Sequence, residues 1–237
     1  MQQIQTNLTE VIDRAPGVKS FRFGIDKRIE FKAGQYFFVK IDVGGAGMEK
    51  PFSFSNSPTE EGYAEFTKRL TGSDFSKALD RMKPGARASL RMPYGKFTLE
   101  EDRKIAFLSG GIGITPVRSM AKYATDSKLP TEMVLIYGNN TEEDIIFRED
   151  LDRMAEVNDK FQVVYTLTAP DVCPVSEQCR RGLIDAEMIK EEIPDYTQRV
   201  FYICGPPGML KGLRKVLCED LALGEDTIRT EQFSGYN

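Results

Sequence analysis

The hydrophobic pattern of the chain changes period near residue 100, and that change restricts the fold more than any motif does. Before it, apolar and polar residues alternate. Phe21, Phe23 and Ile25 alternate with Arg22 and Gly24, and Val39, Ile41 and Val43 with Lys40 and Asp42. Residues 64–69 alternate less cleanly. Period-two alternation marks strands with one buried and one wet face, the habit of antiparallel sheets. Turn residues at Pro16-Gly17, Ala33-Gly34 and Gly44-Gly45 separate these strands, and one helix is expected at about residues 74–82. Short strands at this spacing suggest a small barrel or sandwich. After the change, residues 105–108, 133–137, 163–165 and 200–204 are continuous apolar runs. Such runs belong to parallel strands buried on both faces. Helical stretches at about 116–125, 144–157, 185–191 and 210–221 fall between them. Alternating strand and helix means βαβ units, with ligands beyond the carboxyl ends of the strands. The boundary is expected at 99–103, dividing the chain into domains at 1–100 and 101–237.

Composition narrows the chemistry. The chain has 237 residues and a net charge of −4, so it carries no basic footprint for nucleic acid. No apolar run approaches the roughly 18 residues needed to span a bilayer. The opening Met1–Gln5 has neither the basic start nor the apolar stretch of a signal peptide, so a cytoplasmic location is expected. Four cysteines, at 173, 179, 204 and 218, form no CxxC pair and are expected as free thiols, with no metal bound. There is no histidine, which removes the commonest general base, most zinc sites and every Ser-His-Asp arrangement. A bound cofactor is the natural carrier of the chemistry in such a chain.

Four segments carry that expectation. Ser109-Gly110-Gly111-Ile112-Gly113-Ile114-Thr115-Pro116 follows the first parallel strand. Its glycines let backbone approach a diphosphate, and the helix start offers free N–H groups to an anion. Thr115 is expected as the N-cap and Pro116 at the first helical position. Taken alone, such a turn serves tight packing as readily as phosphate. Cys204-Gly205-Pro206-Pro207-Gly208-Met209 ends the fourth parallel strand in a rigid turn. Lys50-Pro51-Phe52-Ser53 offers a cation, an aromatic ring and a hydroxyl, although Phe52 and Phe54 also read as simple core. Gly72-Ser73-Asp74-Phe75-Ser76 opens the helix of the first half, another potential phosphate site.

In this order, these motifs resemble the ferredoxin–NADP⁺ reductase superfamily. Gly34-Gln35-Tyr36, Pro93-Tyr94-Gly95-Lys96-Phe97, Tyr137-Gly138 and the closing residues 231–236 extend the likeness over nearly the whole chain. The resemblance implies a standalone member with a six-stranded antiparallel Greek-key flavin-binding barrel, then a five-stranded parallel α/β nucleotide-binding domain of Rossmann type. Its cofactor would be FAD rather than FMN, with NADH or NADPH as co-substrate, and the reaction hydride transfer from nicotinamide C4 to flavin N5. The flavin motif falls on Lys50, Pro51, Phe52 and Ser53: Lys50 would meet the flavin phosphates, Phe52 would pack on the isoalloxazine, and Ser53 would hydrogen-bond near N5. Thr67, Lys68 and Arg69 would line the ribityl chain and phosphate, and Gly72 and Ser76 the pyrophosphate. Gly110, Gly111, Gly113 and Thr115 would hold the nucleotide pyrophosphate, and Cys204, Gly205, Pro206 and Met209 the nicotinamide side. Ser53, Cys204 and Glu231 are the polar groups expected at the reacting atoms, with Phe233 and Tyr236 as candidates to cover the flavin.

Two residues depart from the family pattern. Lysine at 50 replaces arginine and loses its planar fork, and phenylalanine at 52 replaces tyrosine and loses a hydroxyl. Both bear on flavin affinity. The expected acceptor is a protein carrier such as ferredoxin or another iron–sulfur protein. The alternatives are an electron-transfer subunit of a larger complex, a free-flavin reductase, and a flavin-binding module without turnover. NADH is favoured over NADPH, because the arginine that grips a 2′-phosphate is replaced by Ala169, with Asp171 nearby. Arg180 and Arg181 could restore that grip.

Overall fold

The computed structural model describes residues 2–26, 29–169 and 179–232. The first half is one antiparallel sheet of six strands: β1 (Gln2–Ala15), β2 (Val18–Gly24), β3 (Tyr36–Val43), β4 (Ala46–Ser53), β5 (Tyr63–Arg69) and β6 (Arg87–Tyr94). Their order, β4-β3-β6-β1-β2-β5, leaves β4 and β5 as the two edges. The sheet curls until the chain just past β4 meets β5, where the Ser55 N–H donates to the Glu65 carbonyl at 2.9 Å. Inside the curl lie Phe21, Phe23, Phe37, Phe54, Phe66 and Leu90, all fully buried. The alternation read from the sequence is therefore the alternation between this core and the outside. Helix α1 (Asp74–Arg81) starts with the Ser73 side chain accepting from the Ser76 N–H and turns Phe75 and Leu79 inward.

The second half is a parallel sheet of β7 (Lys104–Gly110), β8 (Met133–Asn139), β9 (Phe161–Leu167), β10 (Cys179–Arg181), β11 (Arg199–Gly205) and β12 (Ile228–Gln232), in the order β10-β9-β8-β7-β11-β12. It has six strands where five were expected. The addition is β10, three residues at the edge, whose Cys-Arg-Arg contains no apolar run to announce it. Helices α2 (Ile114–Asp126) and α3 (Arg148–Val157) cover one face, against Phe107, Leu135, Tyr137 and Tyr202. Helices α4 (Ala186–Glu192) and α5 (Pro207–Lys215) cover the other, against Leu108, Ile136, Val164 and Ile203. Burial on both faces is why these strands read as unbroken apolar runs.

Helix α2 is also where the two halves meet. Every residue from Ile114 to Ala121 is buried, more than a helix resting on one sheet requires. Val18, Ala33 and Phe97 of the barrel half join the core beneath it. Gly34, at φ +96°, permits this approach, because a side chain there would collide with the Phe97 carbonyl and the Met120 methyl group. The start of α2 differs from expectation. Gly111–Gly113 already wind as a 3₁₀ turn that runs into the helix, so the cap is Gly113. Thr115 lies inside the helix with its hydroxyl donating to the Ile112 carbonyl at 3.3 Å. Pro116 still sits in the first turn, where its missing N–H costs nothing.

Candidate functional site

The flavin-side residues gather in the gap between the sheet edges. Strand parity decides which of them meet. Lys50 and Phe52 share one face of β4, and Phe66 and Lys68 one face of β5. Phe52 stacks on Phe66 at 4.2 Å between ring centroids and tilts against Phe75 of α1 at 5.8 Å. Beside this stack Lys50 and Lys68 are close enough to feel each other's charge, and neither has a carboxylate partner among the described residues; the Lys68 ammonium donates to the Arg69 carbonyl at 3.2 Å. Burial, and then the charge of Lys50, lower the Lys68 pKa from its ordinary value. Two neighbouring cations next to a half-buried ring fit a diphosphate joined to an aromatic system. That donor set suits FAD, with Lys50 and Lys68 holding phosphate and Phe52 packing on the ring.

Thr67 and Arg69 fall on the opposite face and do not join them. The Thr67 hydroxyl lies in a buried network with Ser20 at 2.6 Å and Ser55 at 3.0 Å. Arg69 reaches Asp144 of the other half at 3.6 Å and the Pro16 carbonyl at 3.3 Å. Ser53 is buried at the end of β4, and its hydroxyl makes no hydrogen bond among the described residues. Pro51 is exposed on the outer face. Gly72 is exposed, with open space where a side chain would be, while the buried Ser76 hydroxyl is 3.1 Å from that of Thr71.

The nucleotide-side loops lie together at the carboxyl edge of the parallel sheet, and here the glycines do two jobs. A side chain at Gly113 would strike the Cys204 carbonyl and the Gly205 backbone, and one at Gly110 would strike the Met209 sulfur. These two glycines, with Gly205 and Met209, join the loops after β7 and β11 to each other. Gly111 differs: its φ is +52° and nothing lies near its absent side chain. Of the three loop glycines, it is the one facing open space. Close by, at the end of β8, the side-chain amide of Asn139 is buried beside the Tyr137 hydroxyl without a hydrogen bond of ordinary geometry. The open Gly111 leaves room for a polar nucleotide at this edge. The sequence reading overlooked Asn139; its place just past Tyr137-Gly138 was the available signal.

Cys204 and Glu231 are register neighbours on β11 and β12. The Cys204 thiol is fully buried, and burial pushes its pKa far above the ordinary range, so it stays protonated. Ser109, also overlooked, donates its hydroxyl to the Cys204 carbonyl at 3.3 Å and lies 3.9 Å from the thiol. Burial pushes the Glu231 carboxyl up to about 7. Pro206 precedes α5 as its cap residue. Phe233 and Tyr236 lie outside the described residues, as do Asp171 and Cys173. Among the described residues no cluster of side chains could hold a metal ion, and no helix is long and apolar enough to cross a membrane.

Comparison with known proteins places the chain among oxidoreductases that pair an FAD-binding with an NAD-binding domain. The family model for an oxidoreductase FAD-binding domain matches residues 5–99, and that for an oxidoreductase NAD-binding domain matches residues 107–215. NADH-cytochrome b5 reductase 1 of Dictyostelium discoideum is 31% identical over 221 residues, covering 89% of this chain and 75% of its own. The glycine betaine monooxygenase reductase subunit of Pseudomonas aeruginosa is 29% identical over 214 residues, covering 88% of this chain but only 58% of its own. A ferredoxin NADP⁺ reductase from Neisseria gonorrhoeae, solved with FAD and NADP, has the same fold, with a TM-score of 0.80 at 20% identity over 98% of this chain and 99% of that one.

Proposed function

The chain belongs to the ferredoxin–NADP⁺ reductase superfamily of paired FAD- and NAD-binding oxidoreductases, and from that premise we propose that it passes electrons from NAD(P)H through FAD to a carrier protein. It is an NAD(P)H-dependent flavin oxidoreductase. When bound, the flavin would supply the redox chemistry, accepting the two electrons of one hydride and passing them on one at a time. The residues bind, orient and hold protons. Lys50 and Lys68 grip the flavin phosphates, and Phe52 packs on the ring. Ser53 offers an uncommitted hydroxyl to the flavin edge. Gly111 receives the nicotinamide nucleotide, beside the loop in which β11 ends at Cys204 and Gly205. With no histidine in the chain, Glu231, poised near 7, is the group suited to exchange protons at the site. Domains at 1–100 and 101–237 place these two sets of residues on separate units.

The observation that carries this reading is the pair of neighbouring lysines beside Phe52, which have no carboxylate partner among the described residues. For the acceptor, the two relatives are named for cytochrome b5 and for a monooxygenase, which favours a protein carrier, ferredoxin or another iron–sulfur protein among them. The second of those names also favours a reductase component of a larger complex. The test is oxidation of NADH and NADPH by the purified protein against ferredoxin, cytochrome b5 and free flavin. Rapid turnover with free flavin alone would replace the carrier reading, and absence of FAD from the protein would sink the site.

A further inference from the structure

Among the buried cations that the binding sites leave unused is Arg118, on the helix that starts at the glycine-rich loop. Its side chain is only 6% exposed. On its own half, Nε and Nη2 donate to the Asp150 carboxylate of α3 at 3.1 and 2.9 Å. Across the boundary, Nη1 donates to the Ser55 carbonyl at 3.0 Å, and Nη1 and Nη2 both donate to the Glu60 carboxylate, the latter at 3.0 Å. The next residue repeats the grip: the Ser119 hydroxyl donates to the Asn56 carbonyl at 2.7 Å. Adjacent residues of α2 thus hold adjacent carbonyls of the barrel, two and three residues past Ser53.

Elsewhere the directed contacts across the boundary are single ones, among them the Thr59 hydroxyl donating to Asp126, the Tyr202 hydroxyl to the Thr98 carbonyl at 2.7 Å, and Arg69 reaching Asp144 at 3.6 Å. Val18, Ala33 and Phe97 pack against α2 through apolar contact, which resists separation more than sliding or rotation. A buried ion pair gives little stability over apolar residues of equal volume, so its use has to lie elsewhere, in geometry. A planar guanidinium with fixed donor directions sets both distance and angle.

We propose that Arg118 is a positioning residue, locking the Ser53–Asn56 end of the flavin strand to the helix of the nucleotide loop and so fixing how the two rings align. This rests on the reading of the two cofactor sites above. Hydride transfer tolerates little misplacement, and an error of about 1 Å can cost on the order of 100-fold in rate.

Arg118→Ala should keep its FAD yet lower the limiting rate of flavin reduction by roughly 10- to 100-fold. It should also weaken the long-wavelength charge-transfer absorbance of the flavin with nicotinamide nucleotide, which reports ring overlap rather than turnover. Arg118→Lys should restore part of both. Small-angle scattering of the chain stripped of flavin should show a larger radius of gyration for Arg118→Ala than for the parent. If Arg118→Ala does not fold, Glu60→Gln, at the partly buried barrel end of the clamp, should shift rate and absorbance in the same direction. Unchanged rate and absorbance with only a lower melting temperature would reduce Arg118 to a structural contact and overturn the proposal. If the parent takes up no FAD, the cofactor reading fails, and scattering alone still decides the clamp: an unchanged radius overturns it.

Discussion

The flavin-side gap and the nucleotide-side loops bind related chemistry, diphosphates carrying aromatic rings, yet they are built in opposite ways. In the gap, Lys50 and Lys68 have no acidic partner among the described residues, and burial and the charge of Lys50 lower the Lys68 pKa. In the loops, Gly113 lies against the Cys204 backbone and Gly110 against Met209, so most of the motif is satisfied before any ligand arrives. A charged motif in this fold advertises its ligand by what it leaves unpaired. A glycine motif mixes residues that touch ligand with residues that hold the scaffold.

The largest expected effect separates these two uses of glycine. Gly113→Ala drives a methyl group into backbone and should destabilise the protein by about 3 kcal/mol, read by chemical denaturation. Gly111→Ala meets only left-handed backbone strain, about 1–2 kcal/mol, and should act mainly on nucleotide affinity. If the two variants prove equally stable, the division of roles among the loop glycines is wrong.

Next come the lysines. Lys50→Ala and Lys68→Ala should each weaken FAD binding by roughly 10- to 100-fold, the worth of a charge-assisted hydrogen bond of about 1.5–3 kcal/mol. The flavin-free protein should melt no lower for losing Lys68, because a repulsion is removed with it. Lower melting in both variants without a change in FAD titration would make the lysines structural.

A smaller effect concerns the adenosine end of the nucleotide. Arg180 is engaged by Glu191 at 2.6 Å and by Glu192, leaving it poorly placed to pair with a 2′-phosphate. NADH should therefore exceed NADPH by about tenfold in kcat/KM, equivalent to about 1.4 kcal/mol. A tenfold ratio the other way, abolished by Arg181→Ala, would transfer the phosphate site to Arg181.

The smallest effect is a few-fold and pH-dependent. Glu231 titrates near 7 when folded and near its ordinary 4.5 when unfolded. Its protonated form thus stabilises the native state fully below about 4.5, and that contribution is lost as pH rises through about 7. The rate profile should break near 7, and Glu231→Gln should remove both the break and this part of the stability slope. A break that persists in the variant belongs to another group.

The sequence alone determined the two halves, their order and most of the elements, because burial on one face or two writes period-two alternation or continuous apolar runs into the chain. It determined the cofactor class as well, since the four motifs keep their order and the absence of histidine leaves chemistry to a bound group. Local pattern was not enough at α2: Thr115 and Pro116 fit an N-terminus, but the preceding glycines were free to wind earlier. Nor could it find β10, whose three polar residues pair at an edge without an apolar signature. Strand parity separated Lys68 from Thr67 and Arg69, which adjacency in the chain had grouped together. The surroundings of Asn139 and Arg118 were invisible for the same reason. One is a buried amide without a hydrogen bond of ordinary geometry, the other is held by partners 58 and 32 residues away. Only the tertiary structure decides those facts, because partners across space leave no period along the chain.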